Sequence, residues 1–391
     1  MPEAYIVAAT RTAGGRRGGK LKDWHPADLG GAVLDELIRR AGIDPAGVDD
    51  VILGCVGQVG EQSMHIGRSA VMASGLPDSV PAVTIDRQCG SSQQAIHFAA
   101  QAVMSGTQDI VIAAGVESMT RVPMGLAASL PAQHGIGIGP WSDRIKRRYG
   151  VEEFSQFIGA QMIADKYGFS REDLDRFALE SHRRAAAATI SRAFEDEVLP
   201  LEVTDGEGGK MLHARDEGIR YDATLETISS VKLLQEGGTI SAASASQICD
   251  GASGVMIVSD AALKTHGLTP LARIHNLTVT AGDPVIMLEE PLPATQRALQ
   301  RAGMSIRDVD LYEVNEAFAP IPLAWLRALG GDSERLNVNG GAIALGHPLG
   351  ASGTKLMTTL IHALRTRGKR YGLQTMCEGG GIANVTIVER L

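Results

Sequence analysis

The sequence is poor in aromatic residues, in cysteines and in long apolar runs. Aromatic residues make up 4% of its 391 residues, so few rings are available on which nucleic-acid bases could stack. The cysteines Cys55, Cys89, Cys249 and Cys377 have no Cys-x-x-Cys spacing and are too few for a disulfide framework. No apolar stretch approaches the length of a membrane-spanning helix. These absences argue against a disulfide-stapled secreted domain and favour a reducing compartment.

The formal net charge is negative, at −8, which argues against general binding to nucleic acids. The shares of hydrophobic residues (44%) and charged residues (21%) are typical of a globular enzyme, and the length predicts two or more domain-sized units. The first residues lack the basic start and apolar stretch of a signal peptide, and residues 388–391 do not match the peroxisomal Ser-Lys-Leu signal. We therefore expect a cytoplasmic protein.

Glycine, in contrast, is abundant at 46 residues, and it surrounds the most informative cysteine. Cys89 precedes Gly90 and lies between a β-like run at 82–85 and a helical pattern that Gly106 ends. A cysteine at the start of a helix feels the positive end of the helix dipole, which favours the thiolate. The unpaired N–H groups of the first turn can also stabilise a developing negative charge. The pattern indicates a nucleophile, although a lone cysteine is more often a small buried apolar residue.

Three segments near the C-terminus could supply partners for this nucleophile. Asn315 follows the strand-like run 310–314, where an asparagine by itself fits a helix N-cap. His347 lies between Gly346 and Pro348 in a glycine-rich loop and is the best candidate to take a proton from Cys89. Cys377 opens the turn Cys-Glu-Gly-Gly-Gly, which by itself would be only a turn. Beside Cys89 and His347, this cysteine becomes a candidate for a second, proton-transferring thiol.

Together these segments resemble the thiolase family, the acyl-CoA acetyltransferases that make or cleave 3-ketoacyl-CoA. The resemblance covers essentially the whole chain, from Thr10-Arg11-Thr12 to the last strand-like run. The Cys-Gly-Ser-Ser, Asn-Glu-Ala-Phe, Gly-His-Pro and Cys-x-Gly-Gly-Gly blocks occur in the family's order and at its spacings. The resemblance implies an acyltransferase of the thiolase type.

The two ends of the chain also resemble each other. Ala-Gly-Ile at 41–43 and the run 48–53 parallel Ala-Gly-Met at 302–304 and the run 309–314, about 260 positions later. Alternating helices and strands in each half predict an α/β protein with parallel sheets and helices on both faces. This agrees with the fold that the resemblance implies, a thiolase-like pair of duplicated halves in αβαβα layers with an inserted loop domain.

The domain boundaries follow from where the repeat breaks. We predict a first half at 1–119, completed by part of 245–268, and a second half at 269–391. Between them, residues 120–244 correspond to the loop domain that binds coenzyme A in the family. Ser170 is expected to open a helix in this insertion because Asp173 completes a capping pattern. A basic cluster there either faces solvent or attracts the CoA phosphates, and it consists of Arg144, Lys146, Arg147 and Arg148.

The resemblance also implies a two-step acyl transfer. His347 would deprotonate Cys89, whose thiolate attacks the keto carbon of a 3-ketoacyl-CoA, and Cys377 would protonate the departing acetyl-CoA enolate. His347 and a water held by Asn315 would stabilise the enolate oxygen, while backbone N–H groups of Cys89 and Gly379 would hold the tetrahedral intermediate. Coenzyme A acts as a co-substrate, with no permanently bound cofactor, and no metal is expected.

The resemblance carries two further residues over as CoA contacts. Ser246 aligns with a serine that contacts the pantetheine, and Arg220 aligns with an arginine beside the adenine; otherwise they are a turn serine and a surface arginine. Acetoacetyl-specific biosynthetic thiolases have His-Met-Gly where this chain has Gln-Phe-Ile-Gly at 156–159. This departure favours degradative cleavage of longer or bulkier acyl chains, as in lipid β-oxidation, with a biosynthetic acetoacetyl-CoA thiolase as the alternative.

Other interpretations stay open at this level. A ketoacyl synthase or hydroxymethylglutaryl-CoA synthase would share the fold and the nucleophile, but the turn at Cys377 favours a thiolase. A non-catalytic acyl-CoA-binding relative would have no need of Cys89, Asn315, His347 and Cys377 together. No Gly-x-Gly-x-x-Gly follows the first strand-like run, which argues against a dinucleotide-binding enzyme. The family forms dimers and dimers of dimers, so we expect a homo-oligomer, with a homotetramer preferred, and no membrane or nucleic-acid partner.

Overall fold

Helices and strands alternate along most of the chain in the computed structural model, which describes residues 2–205 and 208–391. The strands are β1 Ala4–Thr12, β2 Gly15–Arg16, β3 Asp50–Gly54, β4 Ala82–Ile85, β5 Ile110–Ser118, β6 Val198–Leu199, β7 Leu201–Thr204, β8 Lys210–His213, β9 Cys249–Ser259, β10 Ala272–Ala281, β11 Leu311–Val314, β12 Tyr371–Glu378 and β13 Ile382–Arg390. The helices are α1 Pro26–Ala41, α2 Ile66–Met72, α3 Ser91–Ser105, α4 Leu126–Gln133, α5 Asp143–Tyr149, α6 Gln156–Tyr167, α7 Arg171–Ile190, α8 Leu225–Ser229, α9 Asp260–His266, α10 Pro291–Ala302, α11 Pro320–Leu329, α12 Ala342–Leu345 and α13 Ser352–Thr366.

Strands from both ends of the chain join in one mixed sheet, in the order β11-β12-β13-β10-β1-β9-β5-β3-β4. Strands β4, β3 and β5 are parallel, as are β11 and β12. Strands β9 and β13 run antiparallel to their neighbours, so the prediction of parallel sheets was wrong for these strands. The physical reason is clear at β12 and β13, because the short turn between them can join only antiparallel strands.

The layered arrangement predicted for the fold is confirmed. Helices α3 and α13 form a central layer, in which Ile96 and Met357 pack with Ile257 of the sheet. On the outer faces, α1 buries Leu37 against the first half and α11 buries Trp325 against the second half. The two halves meet where β1 pairs briefly with β10. The result is an αβαβα stack with the two similar helices at its centre.

Local signals in the sequence explain several helix ends. Gly106 ends α3 with a φ of 76°, a left-handed conformation that glycine adopts without steric cost. Ser170 caps α7, and the reciprocal bonds between Ser170 and Asp173 form the predicted capping box. Within the described ranges, no helix is long and apolar enough to span a bilayer.

One buried carboxyl group, that of Glu117, links the two halves through hydrogen bonds near the Gly-His-Pro loop. Glu117, at the end of β5, accepts hydrogen bonds from the N–H groups of Val56 (2.9 Å) and Gly57 (2.9 Å) and from Gln62 Nε2 (2.8 Å). It also accepts the N–H of Gly350 at 2.8 Å, and Gly350 belongs to the second half. Because Gly350 follows His347 by three residues, this carboxylate fixes the histidine loop against the first half.

We expect Glu117→Ala to lower the free energy of unfolding by about 3 kcal/mol, because it leaves several buried N–H groups without an acceptor. Urea unfolding monitored by circular dichroism measures the change. The control is Glu153→Ala, which removes an exposed carboxylate. Equal stability of the two variants would contradict the role assigned to Glu117.

Candidate active site

Cys89 lies on a sharp, strained turn between β4 and α3, where the sequence places it. The residue before it, Gln88, has a φ of 50°, which is uncommon for a residue other than glycine. The turn is held by hydrogen bonds from the Gln88 N–H to Asp86 Oδ1 (2.6 Å) and from Ser91 Oγ to the Gln88 carbonyl (2.6 Å). This backbone fixes the cysteine at the mouth of helix α3.

The protonation state of Cys89 differs from the sequence-based expectation. Burial raises the pKa of its thiol to about 12, and the nearby Glu378 carboxylate adds to the rise. The prediction that the helix dipole would favour the thiolate was therefore wrong for the free protein, because loss of hydration outweighs the dipole. Cys89 is therefore a thiol at neutral pH and would need a base to act as a nucleophile.

His347 has the protonation and orientation of such a base. Ser352 Oγ donates to the Pro348 carbonyl (2.8 Å), so at its 2.5 Å contact with His347 Nδ1 it acts as the acceptor. Nδ1 therefore carries the proton, and Nε2 keeps a lone pair, which lies 3.4 Å from Asn315 Nδ2. Burial, with a contribution from Lys355, lowers the pKa of His347 to about 3. The ring is neutral and can accept a proton at Nε2.

Lys355 holds the loop that carries the histidine. Its buried ammonium donates to the carbonyls of Leu345 (2.5 Å) and Gly346 (3.1 Å), the two residues that precede His347. Neither Lys355 nor Ser352 was singled out from the sequence, because both fit the start of an amphipathic helix equally well. The only signal in the sequence was that Ser352 and Lys355 lie three positions apart, directly after the Gly-His-Pro block.

Asn315 and Cys377 meet at the ends of two adjacent strands. Val314 of β11 lies opposite Thr375 of β12 in parallel register, and the Asn315 N–H donates to the Thr375 carbonyl at 3.0 Å. Asn315 is not a helix N-cap, since α11 begins only at Pro320. Its Oδ1 is buried without a partner among the described residues, an acceptor that a water or substrate donor could satisfy.

Cys377 lies close to the nucleophile. Burial raises the pKa of the Cys377 thiol well above its usual range, and the proximity of Cys89 raises it further. A Cβ atom added to Gly379 would lie 3.0 Å from Gln88 Oε1, and one added to Gly90 would overlap the Glu378 carboxyl group. The turn after β12 therefore packs directly on the Cys89 turn, which brings Gly379 beside the nucleophile.

A cavity of about 470 Å³ opens onto His347. Ser246 lines it, and the Ser246 N–H donates to the Ala317 carbonyl at 2.9 Å. Arg220 is exposed and lies outside this cavity, so Ser246 is brought to the site but Arg220 is not. The remaining residues of the lining are mostly apolar: Met119, Met124, Phe157, Leu234, Ala242, Ala245, Ile248, Phe318 and Leu349. Within the described part of the chain, no group of three or more His, Cys, Asp or Glu side chains could hold a metal ion.

Comparison with known proteins gives a consistent result across the whole chain. Residues 4–261 match the family model described as thiolase, N-terminal domain, and residues 268–390 match thiolase, C-terminal domain. The chain is 51% identical over its full length, and over 95% of the relative, to the steroid 3-ketoacyl-CoA thiolase FadA6 of Mycobacterium tuberculosis. It is 40% identical to the acetyl-CoA acetyltransferase of Escherichia coli, with both chains fully covered. The crystal structure of the Bacillus anthracis acetyl-CoA acetyltransferase superposes with a TM-score of 0.91 at 36% identity, covering 100% of this chain and 99% of that one.

We expect Ser352→Ala to lower kcat by roughly tenfold to a hundredfold, because the hydroxyl group fixes the His347 tautomer that accepts a proton. Ser352→Thr, which keeps a hydroxyl group, should recover most of the rate. Steady-state kinetics of both variants, with thermal unfolding as a check on folding, measure the effect. An unchanged rate in the alanine variant would exclude this role.

A second prediction concerns the pH dependence of Cys89. Burial raises the pKa of Glu378 well above its usual range, and the charge of its ionised form opposes the Cys89 thiolate. We expect Glu378→Gln to lower the apparent pKa of Cys89 by about one unit and speed its alkylation by iodoacetamide about tenfold at alkaline pH, where ionised Glu378 no longer opposes the thiolate. The exposed acid Glu334 provides the control, as Glu334→Gln. Identical pH profiles for both variants would refute the coupling.

Proposed function

The chain belongs to the thiolase family and is an acyltransferase, and from this premise we propose that it uses coenzyme A to cleave 3-ketoacyl-CoA into acetyl-CoA and a shortened acyl-CoA. The observation that carries the proposal is the convergence of a half-buried thiol, a buried thiol, a neutral imidazole and an unsatisfied amide oxygen from four separate segments. They are Cys89, Cys377, His347 and Asn315. A protein that only bound acyl-CoA would have no use for this combination.

In the first step, His347 Nε2 takes the proton from Cys89, and the thiolate attacks the keto carbon of the substrate. The raised pKa of Cys89 makes this proton transfer necessary, and the lowered pKa of His347 leaves the ring free to accept. The bond between the α and β carbons then breaks, which leaves the shortened acyl group on Cys89 as a thioester. The backbone N–H groups of Cys89 and Gly379 would stabilise the tetrahedral intermediate.

The leaving group is the enolate of acetyl-CoA, which needs both a proton and a stabilised oxygen. Cys377 would give the proton to the enolate carbon, and the raised pKa of its thiol keeps that proton available at neutral pH. His347 and a water on Asn315 would face the enolate oxygen. In the second step, Cys377 would take the proton of an incoming CoA thiol, whose sulfur receives the acyl group from Cys89.

We propose the degradative direction, as in the oxidation of fatty acids or related lipids. The most similar relative reported above is named a steroid 3-ketoacyl-CoA thiolase, at 51% identity. Phe157, in the segment where acetoacetyl-specific enzymes have His-Met-Gly, lines the cavity and packs edge-on against Phe318 with ring centroids 5.6 Å apart. Relatives named acetyl-CoA acetyltransferase, at 40% identity, keep the biosynthetic reaction as the alternative.

Coenzyme A would enter along the half-buried wall that contains Ser246, with the pantetheine beside this residue. The adenine would lie outside the cavity, near the exposed Arg220. The basic cluster falls on α5, where Lys146 pairs with Glu152 at 3.0 Å and Arg147 is exposed. It could attract the CoA phosphates through its charge. The insertion 120–244 would then act as the CoA-binding domain between the halves 1–119 and 269–391.

We also propose a homo-oligomer, a dimer or a tetramer, in the cytoplasm. Strand β4 is an edge strand of the large sheet, and Val83 on it is 40% exposed. An unpaired edge next to an exposed apolar side chain favours pairing with a second copy of the chain. Because β4 leads directly to Cys89, such pairing would brace the turn that carries the nucleophile.

The experiment that tests the function is intact-mass measurement after mixing the protein with a panel of 3-ketoacyl-CoA substrates without free CoA. We expect wild type and Cys55→Ala to gain the mass of the shortened acyl group, and Cys89→Ala to gain none, because the thioester forms only on Cys89. The substrate that labels best would indicate the acyl chain. Labelling of Cys89→Ala, or no adduct on wild type despite binding of CoA esters, would overturn the proposal.

A further inference from the structure

The cavity that opens onto His347 has an unusual charge distribution. Arg16 and Arg17, from the segment after β1, line one wall of it, and no acidic residue of the described chain lines the cavity with them. Most of the remaining lining is apolar. A positively charged wall in a mostly apolar cavity indicates that the ligand brings a negative charge to this place.

The two arginines are held differently. Arg16 has a partner, since its Nε lies 3.8 Å from Glu217 Oε1. Arg17 has neither a hydrogen bond nor an ion pair with any other described residue. Its guanidinium group therefore keeps five donors for a ligand, in the planar arrangement that matches a carboxylate.

The backbone under Arg17 is nevertheless well fixed. Glu217 Oε2 accepts the N–H groups of Arg16 (3.2 Å) and Lys20 (2.9 Å), and the Gly18 N–H donates to Thr120 Oγ1 at 2.9 Å. The segment is thus tied down on both sides of Arg17 while the side chain is left unpaired. This combination places a cation at a defined position without neutralising it.

The residues that line the cavity with Arg17 come from different parts of the chain. Met119, from the same half of the chain as Arg17, and Met124, near the start of the inserted segment, also line the cavity. Ser246, on the wall proposed above for the pantetheine, follows the inserted segment in the chain, as does Phe318. The wall with Arg17 thus combines adaptable thioether side chains with a free guanidinium group, which suits an apolar chain that ends in an anion.

We propose that the preferred substrate is a 3-ketoacyl-CoA whose acyl chain ends in a carboxylate, which Arg17 binds with support from Arg16. The inference rests on the proposed thiolase function and adds the substrate class to it. The cavity of about 470 Å³ is in the size range of ordinary small-molecule sites, so it has room for an acyl chain of moderate length. The reaction at the keto group is unchanged, and the carboxylate acts only in recognition.

The test compares two 3-ketoacyl-CoA substrates of equal chain length, one ending in a carboxylate and one in a methyl group. We expect wild type to cleave the carboxylate-ended substrate with roughly tenfold higher kcat/KM, and Arg17→Met to lose this preference through KM with kcat nearly unchanged. Arg17→Lys should recover part of it. Arg297→Met, which removes an exposed arginine on α10, is the matched control and should behave as wild type.

A third substrate decides whether the anion belongs to the acyl chain or to coenzyme A. The carboxylate-ended thioester is also made with dephospho-CoA, which lacks the 3′-phosphate. If Arg17→Met loses activity equally on both acyl chains, and the loss disappears with dephospho-CoA, Arg17 binds the phosphate and the proposal fails. It also fails if wild type cleaves both chains equally. Failure of the thiolase function itself would look different, since wild type would then cleave neither substrate.

Discussion

Loss of water around the reacting groups is the constraint on which the rest of the site depends. Burial raises the pKa of Cys89 and Cys377 and lowers that of His347, so all three are neutral in the free protein. These groups lie between two packed halves of the fold, where burying an isolated charge would cost much free energy, so neutral groups are favoured there. The same neutrality bears on the proposed chemistry, since the proton transfers would go between these side chains rather than through bulk solvent.

The duplicated fold explains how these groups come together between the two halves. Each half ends its parallel strands toward the same region, and each sends one helix, α3 or α13, into the central layer. The first half contributes Cys89 just before α3, and the second contributes His347 just before α13. Buried polar contacts then fix the loops between them: Glu117 binds the N–H of Gly350, and Lys355 binds the carbonyls before His347. The two similar halves thus supply different chemical groups to one site.

Much of this could be predicted from the sequence, because the strand ends and helix starts carry local signals. The strand before Cys89, the stop at Gly106 and the cap at Ser170 all follow from short-range patterns. The contributions of Ser352, Lys355 and Glu378 could not be predicted, since each acts through contacts with residues that its local pattern does not specify. The pKa of Cys89 was misjudged for the same reason: the helix dipole is visible in a sequence, whereas burial beside Glu378 depends on the tertiary fold.

The antiparallel strands were not predicted because the alternation of helices and strands gives no information on hairpins. A tight turn such as 379–381 joins two consecutive strands in antiparallel orientation without a helix between them. That turn matters beyond topology, since it brings the second thiol and the Gly379 backbone onto the nucleophile. The candidate catalytic groups therefore lie in the packed part of the fold, where hydrogen bonds from Glu117 and Lys355 hold the surrounding loops. The wall with Arg17 differs from this: hydrogen bonds hold the backbone on both sides of Arg17, but its guanidinium group has no partner among the described residues. A site arranged in this way can keep one reaction constant while the identity of the acyl chain is decided by a few side chains at its rim.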